Sequence, residues 1–377
     1  MTTGAGLSRT ASNTWSQKTM ITDRIVMCDP YDIAAVTALG LDNASKFQFI
    51  NEPNGTYTWL EDSYPAVATT ALDDHLSSTT NTVSIDVVNG SLFHVGDVVQ
   101  IDDELIWVSA VSSNTLTVVR NWGSTTNSSH LSVSAMHIRY NARVEGADST
   151  DSPWTEVTTG YNYSTILHKE VNLSRDDMIF PRYGMGNLLD YRIDKNMDAL
   201  MESLNRIPYY GERVAASGTS YGRSSGGIPI LCTTNDAGVT GALTRDDIDD
   251  HLQTIYTAGG KTDLILCGPW AQRKISSFYE GFITTERSEQ IGGMMIKVLM
   301  NPISGKMINV VVDRHCQSDH LYMLDTSHVG LITLDPFFYE ELSKTGDALM
   351  GETVGEYGFV LAFEKAHSFL TGFSVSS

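Results

Sequence analysis

Clusters of basic residues are missing from this chain of 377 residues. Its 45 aspartate and glutamate residues outnumber its 25 lysine and arginine residues, which gives a formal net charge of −20. A protein that holds nucleic acid tightly does so by neutralising phosphates with basic side chains, which releases counterions. The composition therefore disfavours tight, direct DNA binding, but it is compatible with a surface that encloses DNA without holding it.

Cysteines and long apolar runs are also scarce. The four cysteines are scattered, and the two that lie in apolar runs, Cys232 and Cys267, are typical of small buried hydrophobic residues. They indicate neither a disulfide framework nor a C-x-x-C metal site. No apolar run approaches eighteen residues, and no charged-then-apolar signal stands at the N-terminus. We expect a soluble protein that folds in a reducing cytoplasm and does not associate with a membrane.

Catalytic motifs are incomplete. The sequence has no Walker loop, no H-E-x-x-H, and no strand followed by G-x-G-x-x-G. "GRSSG" matches G-x-S-x-G with Ser224 as its serine, but a Gly/Ser-rich loop precedes it and a predicted strand, "IPILCTT", follows, whereas the motif requires a strand-to-helix elbow. A predicted turn, "DRHCQSDH", brings together His315, Cys316, Asp319 and His320 without tetrahedral geometry. We therefore assign no catalytic, cofactor-binding or metal-binding residue and no cofactor, and we expect no enzyme.

The stretch "GNLLDYRIDKNMDALMESLNRIP" predicts a helix over residues 187–207. Its apolar residues recur at helical spacing: Leu189, Ile193, Met197, Leu200 and Leu204. Asn187 is the predicted N-cap, and Pro208 is predicted to end the helix. The opposite face carries four carboxylates: Asp190, Asp194, Asp198 and Glu202. The Glu-x-x-His partners of a di-iron site are missing, so this stripe faces solvent or another subunit.

Residues 72–136 differ from their surroundings. Four short runs alternate with period two and are separated by turn residues: "TVSIDVV", "DVVQID", "ELIWVSA" and "TLTVVR". They predict a small β-barrel or sandwich that is inserted between two flanking segments. We expect these segments, "KFQFINEPNGTYTWLEDSYPA" and "HIRYNARVEGADSTDSPWTEV", to be long strands that pair with each other.

An α/β pattern follows the long helix. Thr244 and Asp247 predict a capping box at the start of one helix, "TDLILCG" predicts a buried strand, and "PWAQRKISSFYEGF" predicts a helix that begins with proline. Four further strands are predicted: "GMMIKVLMNP", "KMINVVVDR", "HLYMLD" and "HVGLITL". The last stretch, "GEYGFVLAFEKAHSFLTGF", predicts one long strand.

The order of these parts resembles that of the major capsid proteins of tailed bacteriophages, of the Hong Kong 97 type. An arm, a long hairpin, a long helix, an α/β domain and a returning apolar strand follow one another over about residues 30–377, apart from the insert. "ARVEGADST", "HKEVNLS" and "LLDYRIDKNMDALMESLNR" resemble one branch of that family. The matching place holds Val144, Glu145, Gly146, Ala147 and Asp148.

The resemblance implies an α+β fold of the Hong Kong 97 type with an inserted small all-β domain. The implied parts are an N-terminal arm (1–45), an extended loop hairpin (46–71 and 137–175), the insert (72–136), a peripheral domain (176–211 and 331–377) and an α/β axial domain (212–330). The helix would be the spine of the peripheral domain, under a sheet built from the C-terminal strand and the region after 331. Trp59, Trp154 and Tyr161 would anchor the extended loop to a neighbouring subunit.

The implied function is that of a structural major capsid protein. It would assemble with itself into pentamers and hexamers, forming an icosahedral head that encloses double-stranded DNA without sequence-specific binding. Further partners would be a portal protein and, as candidates, scaffolding and decoration proteins, with assembly in the bacterial host cytoplasm and a final location in the virion. Two alternatives remain: a phage tail or adhesin-like binding protein, favoured by the β-rich insert, and a serine hydrolase.

Overall fold

The structure is a computed structural model, and it describes residues 31–41, 50–52, 55–62, 69–77, 82–146, 157–180, 187–218, 220–278, 283–287, 295–343 and 346–375. The chain divides into two compact units, one formed by Glu61–Thr158 and the other by the residues before and after it. No helix among the described residues is both long and apolar enough to span a membrane.

The described residues contain six α-helices: α1 (Ala34–Leu39), α2 (Arg175–Ile179), α3 (Leu188–Tyr210), α4 (Ile228–Leu231), α5 (Arg245–Thr257) and α6 (Pro269–Phe278). Their strands are β1 (Ile50–Glu52), β2 (Thr56–Glu61), β3 (Thr69–Ala71), β4 (Thr82–Asp86), β5 (Asp97–Ile101), β6 (Glu104–Ser112), β7 (Thr115–Val119), β8 (Ala135–Asn141), β9 (Thr158–Tyr163), β10 (Thr165–Ser174), β11 (Asp236–Gly241), β12 (Leu264–Cys267), β13 (Ile283–Arg287), β14 (Met295–Met300), β15 (Met307–Val312), β16 (His320–Leu324), β17 (Val329–Glu341), β18 (Ala348–Leu361) and β19 (Ser368–Phe373).

The larger unit contains three sheets. Their strand orders are β1-β2-β9, β10-β18-β17 and β11-β19-β16-β12-β15-β14-β13. Strand β12 of the seven-stranded sheet is buried on both faces, which explains its continuous apolar sequence. Leu264 and Leu266 face a core shared with α1, α3 and α4, whereas Ile265 and Cys267 face a second core under α5 and α6.

The long helix α3 packs against β10 and β18, as predicted for a spine helix beneath a sheet. Asn187 caps it by accepting a 3.0 Å hydrogen bond from the backbone N–H of Leu189. The prediction that Pro208 ends the helix is wrong, because the helix continues to Tyr210. An internal proline costs about 3 kcal/mol. Pro208 and Tyr209 are buried in this last turn, and the backbone of Gly227 lies so close that an added Cβ would be 2.6 Å from the carbonyl oxygen of Ile207.

The apolar face of α3 is buried only toward its C-terminal end. Leu200 and Leu204 are buried in the core, as predicted. The helical spacing also predicts a core position for Met197, but this residue is half-buried and lies outside the core clusters, so that prediction is wrong. Burial in this helix therefore increases toward its C-terminal end, where α3 packs against α1, α4 and the seven-stranded sheet.

The smaller unit is built on a six-stranded sheet of order β3-β8-β5-β6-β7-β4. The four strand runs predicted for residues 82–120 are present as β4 to β7, and their inward residues form a separate core. The limits 72–136 stay a prediction. Among the described residues, the expected pairing of the two flanking segments with each other is wrong, because β8 pairs with β3 and β5, while β1 pairs with β2 and β9 lies beside β2.

Three further predictions of secondary structure differ from the structure. "IPILCTT" forms the one-turn helix α4 instead of a strand. The C-terminal stretch is two strands, because the chain turns at Phe363, whose φ is +53°, and β18 and β19 lie in different sheets. The peripheral sheet therefore contains β17 and β18 but not the last strand. Its third strand is β10, which the sequence had placed in the extended loop.

Candidate assembly junction

The base of the extended loop hairpin is formed by β1, β2 and β9. Along β2, Tyr57 and Trp59 are buried and alternate with more exposed residues, as the period of a strand requires. Both aromatic side chains face the body of the larger unit. They make the base of the hairpin an integral part of that unit.

A buried polar network joins this base to β18 and to the loop before α4. The hydroxyl of Tyr57 and the side-chain amide of Asn162 both donate to the carbonyl oxygen of Phe359, each at 2.7 Å. The same amide donates to the carbonyl of Gly226 at 3.0 Å, and the N–H of Gly226 donates back to Asn162 Oδ1 at 2.9 Å. Buried polar groups are costly when unpaired, so this set permits one orientation of the base.

Ser225 completes the network. The backbone N–H of Phe359 donates to its Oγ at 3.0 Å, and Asn162 donates to the same oxygen at 3.2 Å. Burial raises the pKa of the Tyr57 phenol well above its usual range, although its hydrogen bonds with Ser225 and with the carbonyl of Phe359 act in the opposite direction. The raised pKa agrees with the role of the Tyr57 hydroxyl as a hydrogen-bond donor to Phe359.

A second set of polar contacts lies beside the first. Arg223 donates to Glu356 Oε1 at 2.5 Å and to Ser164 Oγ at 2.8 Å, and both partners of the ion pair are largely buried. Gly55 lies against the side chain of Arg223. Its φ is +68°, and a Cβ at this position would lie 2.2 Å from Arg223 Nε. Glycine is favoured at this turn because residues with a Cβ rarely adopt this positive φ.

The predicted interface anchors have different environments. Trp59 is 4% exposed and packs with Ile332 and Val360, so its predicted role as an anchor on a neighbour is wrong. Tyr161 is 42% exposed, and the guanidinium of Arg213 lies 4.5 Å from its ring centroid. Trp154 lies outside the described residues.

A second junction connects α1, α3 and the end of β15. The carboxylate of Asp313 is fully buried and accepts from Asn205 Nδ2 at 2.7 Å, from the hydroxyl of Tyr209 at 3.0 Å and from the backbone N–H of Ala35 at 3.3 Å. Burial, followed by the charge of Asp313, raises the pKa of the Tyr209 phenol. The buried roles of Asp313 and Asn162 could not be predicted from the sequence, because each looks like an ordinary polar residue at the end of a strand.

The motifs that resembled catalytic sites do not assemble into one. Ser224 pairs through its backbone with Val214, in a small hairpin rather than at an elbow after a strand. In the 313–320 turn, His315 Nδ1 accepts from Arg206 Nε at 3.3 Å, and burial raises the pKa of the Cys316 thiol far above its usual range. Within the part of the chain that the structure describes, no group of histidine, cysteine, aspartate or glutamate residues is arranged to hold a metal ion.

The acidic stripe of α3 lies on the outer face of the helix. Asp190, Asp194 and Asp198 are exposed, and Glu202 forms an ion pair with Arg206 at 3.2 Å. The stripe therefore faces away from the core, in agreement with the sequence. It has the character of a solvated or subunit-facing surface.

Comparisons with solved structures define the fold. The capsid of a native GTA particle is similar to this chain, with a TM-score of 0.52 and 7% identity over 98% of this chain and 100% of that chain. The capsid of Myoviridae phage XM1 is similar with a TM-score of 0.50 and 8% identity over 98% and 100%. At these identities the likeness concerns the fold, which is the Hong Kong 97-type capsid fold. No curated protein matches the chain in sequence.

The family follows from the sequence. A model of the SU10 major capsid protein matches residues 2–374, so the chain belongs to the SU10 major capsid protein family. The protein is therefore a structural major capsid protein of a tailed phage, which assembles with itself and is located in the virion.

Proposed function

We propose that the subunit forms pentamers and hexamers, which close into an icosahedral head around double-stranded DNA without sequence-specific binding. The observation that carries this proposal is the fixed base of the extended loop, where Tyr57 and Asn162 are bound to Phe359. A hairpin whose base is held by buried hydrogen bonds can begin in the same way on every subunit, which supports a repeated contact with neighbours. Closed symmetry then repeats this contact throughout the shell.

Each part of the chain has a proposed place in that shell. The arm (1–45) and the extended loop (46–71 and 137–175) lie on neighbours, the axial domain (212–330) meets its copies around the five-fold and six-fold axes, and the peripheral domain (176–211 and 331–377) surrounds it. The strand pairings favour moving β10 to the peripheral domain and β19 to the axial domain. The insert (72–136) is proposed to be a separate all-β domain.

The proposed partners besides the subunit itself are a portal protein, a scaffolding protein and a decoration protein. The subunit is made and assembled in the cytoplasm of the bacterial host, acts without a membrane and has a structural rather than a catalytic role. A net charge of −20 supports a head whose DNA is brought in by a separate motor, because an acidic wall does not bind phosphates.

Sedimentation velocity and electron microscopy of the purified protein test this proposal. The wild-type chain is expected to form capsomers and closed shells, whereas elongated trimers or monomers alone would contradict it. Asn162→Ala removes the amide at the base of the hairpin and should reduce shell formation. Asn309→Ala, at an exposed position on β15, is the matched control and should assemble as wild type does. If both variants assemble normally, the fixed base is not what directs the hairpin.

A further inference from the structure

The sheet β10-β18-β17 has two edges of different character. The β17 edge carries Pro336, and its pairing with β18 shifts register between Thr333 and Asp335 and again between Asp335 and Phe338. Proline and bulges are devices by which proteins stop an edge strand from pairing with another chain. This edge is therefore protected against strand addition.

The β10 edge has neither device. Its ten residues, from Thr165 to Ser174, pair with β18 without a register shift and include no proline. Among the described residues, no strand pairs with the outer side of β10. A regular edge of this length is a template for a further strand.

The backbone groups that face outward can be assigned. The N–H of Arg175 donates to the carbonyl of Asp347 at 3.3 Å, just beyond the last pair of β10 and β18, so odd-numbered residues of β10 bond to β18. Because direction alternates along a strand, even-numbered residues turn their N–H and C=O groups outward. In agreement, Asn196 on α3 donates to the carbonyl of Glu170 at 3.3 Å. Within the described part of the chain, the outward backbone groups of Ile166, His168 and Asn172 make no backbone hydrogen bond, so they form the free part of the edge.

We infer that the outer edge of β10 takes up an extended segment of a second copy of this chain, which adds a fourth strand to the sheet. The inference rests on the proposed function, because it names the surface through which neighbouring subunits join. A second copy is the occupant because the protein belongs to a family of capsid proteins and assembles with itself. Because the β17 edge is protected and the β10 edge is open, a strand from a second copy can add on one side of the sheet only.

The charges on the sheet indicate the chemistry of the added strand. Glu170, Glu352 and Glu340 are directly opposite one another across the three strands, so their side chains share one face. Like charges in this arrangement repel. The ion pairs found among the described residues do not include these three glutamates. We therefore expect the incoming strand to place a lysine or arginine beside Glu170.

Hydrogen–deuterium exchange of wild-type subunits and shells tests the strand addition directly. The amides of Ile166, His168 and Asn172 should exchange at least tenfold more slowly in shells than in free subunits. The amides of Leu167 and Val171 bond to β18 and should be protected in both states, so they are the internal reference. Equal exchange at the outward amides in subunits and shells would overturn the inference while leaving the proposed function intact.

Substitution of His168 gives a second test. His168→Pro removes an outward N–H and should lower the amount of shell at fixed concentration at least tenfold, whereas His168→Ala keeps that donor and should assemble as wild type does. Normal assembly of His168→Pro would overturn the inference. If this variant does not fold, the exchange measurement on the wild type decides. Failure of the wild type to form any shell would instead contradict the proposed function, and the inference with it.

Discussion

The hydroxyl of Tyr57 donates a 2.7 Å hydrogen bond to the carbonyl oxygen of Phe359, which lies 302 residues further along the chain. This bond connects the first half of the extended loop to the central strand of the peripheral sheet. Asn162, from the second half of the loop, donates to the same oxygen. Both halves of the hairpin therefore share one acceptor, and the base cannot move as two independent strands without breaking buried bonds.

Tyr57→Phe should destabilise the isolated subunit by about 1 to 2 kcal/mol, because it removes a hydrogen bond in a buried network. The carbonyl of Phe359 keeps its bond from Asn162, so the loss is smaller than that of a fully unpaired acceptor. Urea denaturation measures the difference. Tyr161→Phe, at a position that is 42% exposed, is the matched control and should change stability by less than about 0.5 kcal/mol. Equal losses would mean that the Tyr57 hydroxyl is not structurally important.

Leu204→Ala should cost the subunit about 2 to 5 kcal/mol, because Leu204 is fully buried in the core beneath α3. Met197→Ala removes a similar number of atoms at a half-buried position and should cost less than half as much in the same denaturation experiment. A Met197 variant as unstable as the Leu204 variant would show that the predicted core position of Met197 was right after all.

Elements with a complete local signal were predictable from the sequence. The capping box of Thr244 and Asp247 is present at the start of α5, and the alternation of residues 82–119 became the strands β4 to β7. These signals lie within a few residues of one another, so tertiary structure was not needed to interpret them. The long helix and the burial of Leu204 were likewise predictable from local sequence patterns.

Features that depend on distant contacts were not predictable. The side chain of Asn162 is held by hydrogen bonds to residues 64 and 197 positions away, and no local sequence pattern predicts such distant partners. Pro208 stays helical because Gly227 and the core hold the last turn. The C-terminal strand divides at Phe363 because its two halves are recruited by different sheets. Local propensity predicts the type of element, whereas tertiary packing decides whether a helix or strand continues or is interrupted.

The stability of the subunit should fall as the pH drops from about 6.5 to about 4. Burial lowers the pKa of the His367 imidazole to about 4, against about 6.5 in an unfolded chain. Between these values the unfolded state binds a proton that the folded state does not, so acid favours unfolding by about 3 kcal/mol in all. His251, whose pKa is also lowered by burial, adds to the slope. His367→Gln should reduce the dependence of the free energy of unfolding on pH, measured by urea titrations at several pH values. An unchanged slope would show that His367 is not its cause.

Arg120→Ala should destabilise the smaller unit by about 3 to 5 kcal/mol, because it leaves the fully buried carboxylate of Glu104 without its cation. Burial alone would raise the pKa of Glu104, and the hydrogen bond from Arg120 lowers it below its usual value. Hydrogen exchange in the intact chain should show local opening of residues 104–130. Arg139→Ala, which removes an exposed arginine bound to Gln100, should leave exchange there unchanged. Similar exchange in both variants would contradict a central role for the buried pair.

Glu352→Gln should stabilise the free subunit by about 0.2 to 1 kcal/mol, because Glu352 lies between Glu170 and Glu340 and the substitution relieves repulsion on both sides. The effect should shrink at high salt, where exposed charges are screened. Glu145→Gln, at an exposed position outside the sheet, should have no measurable effect. Thermal unfolding at two salt concentrations separates these outcomes, and destabilisation by Glu352→Gln would show that the row is compensated within the subunit.

Cryo-electron microscopy of the purified full-length protein tests most directly whether this chain builds a shell. We expect closed particles of uniform diameter with five-fold and six-fold capsomers, in which each subunit contacts its neighbour through the extended loop. Particles that lack these symmetries, such as elongated trimers, or a sample that stays monomeric at concentrations and salt conditions that permit assembly, would contradict the proposed pentamers, hexamers and icosahedral head.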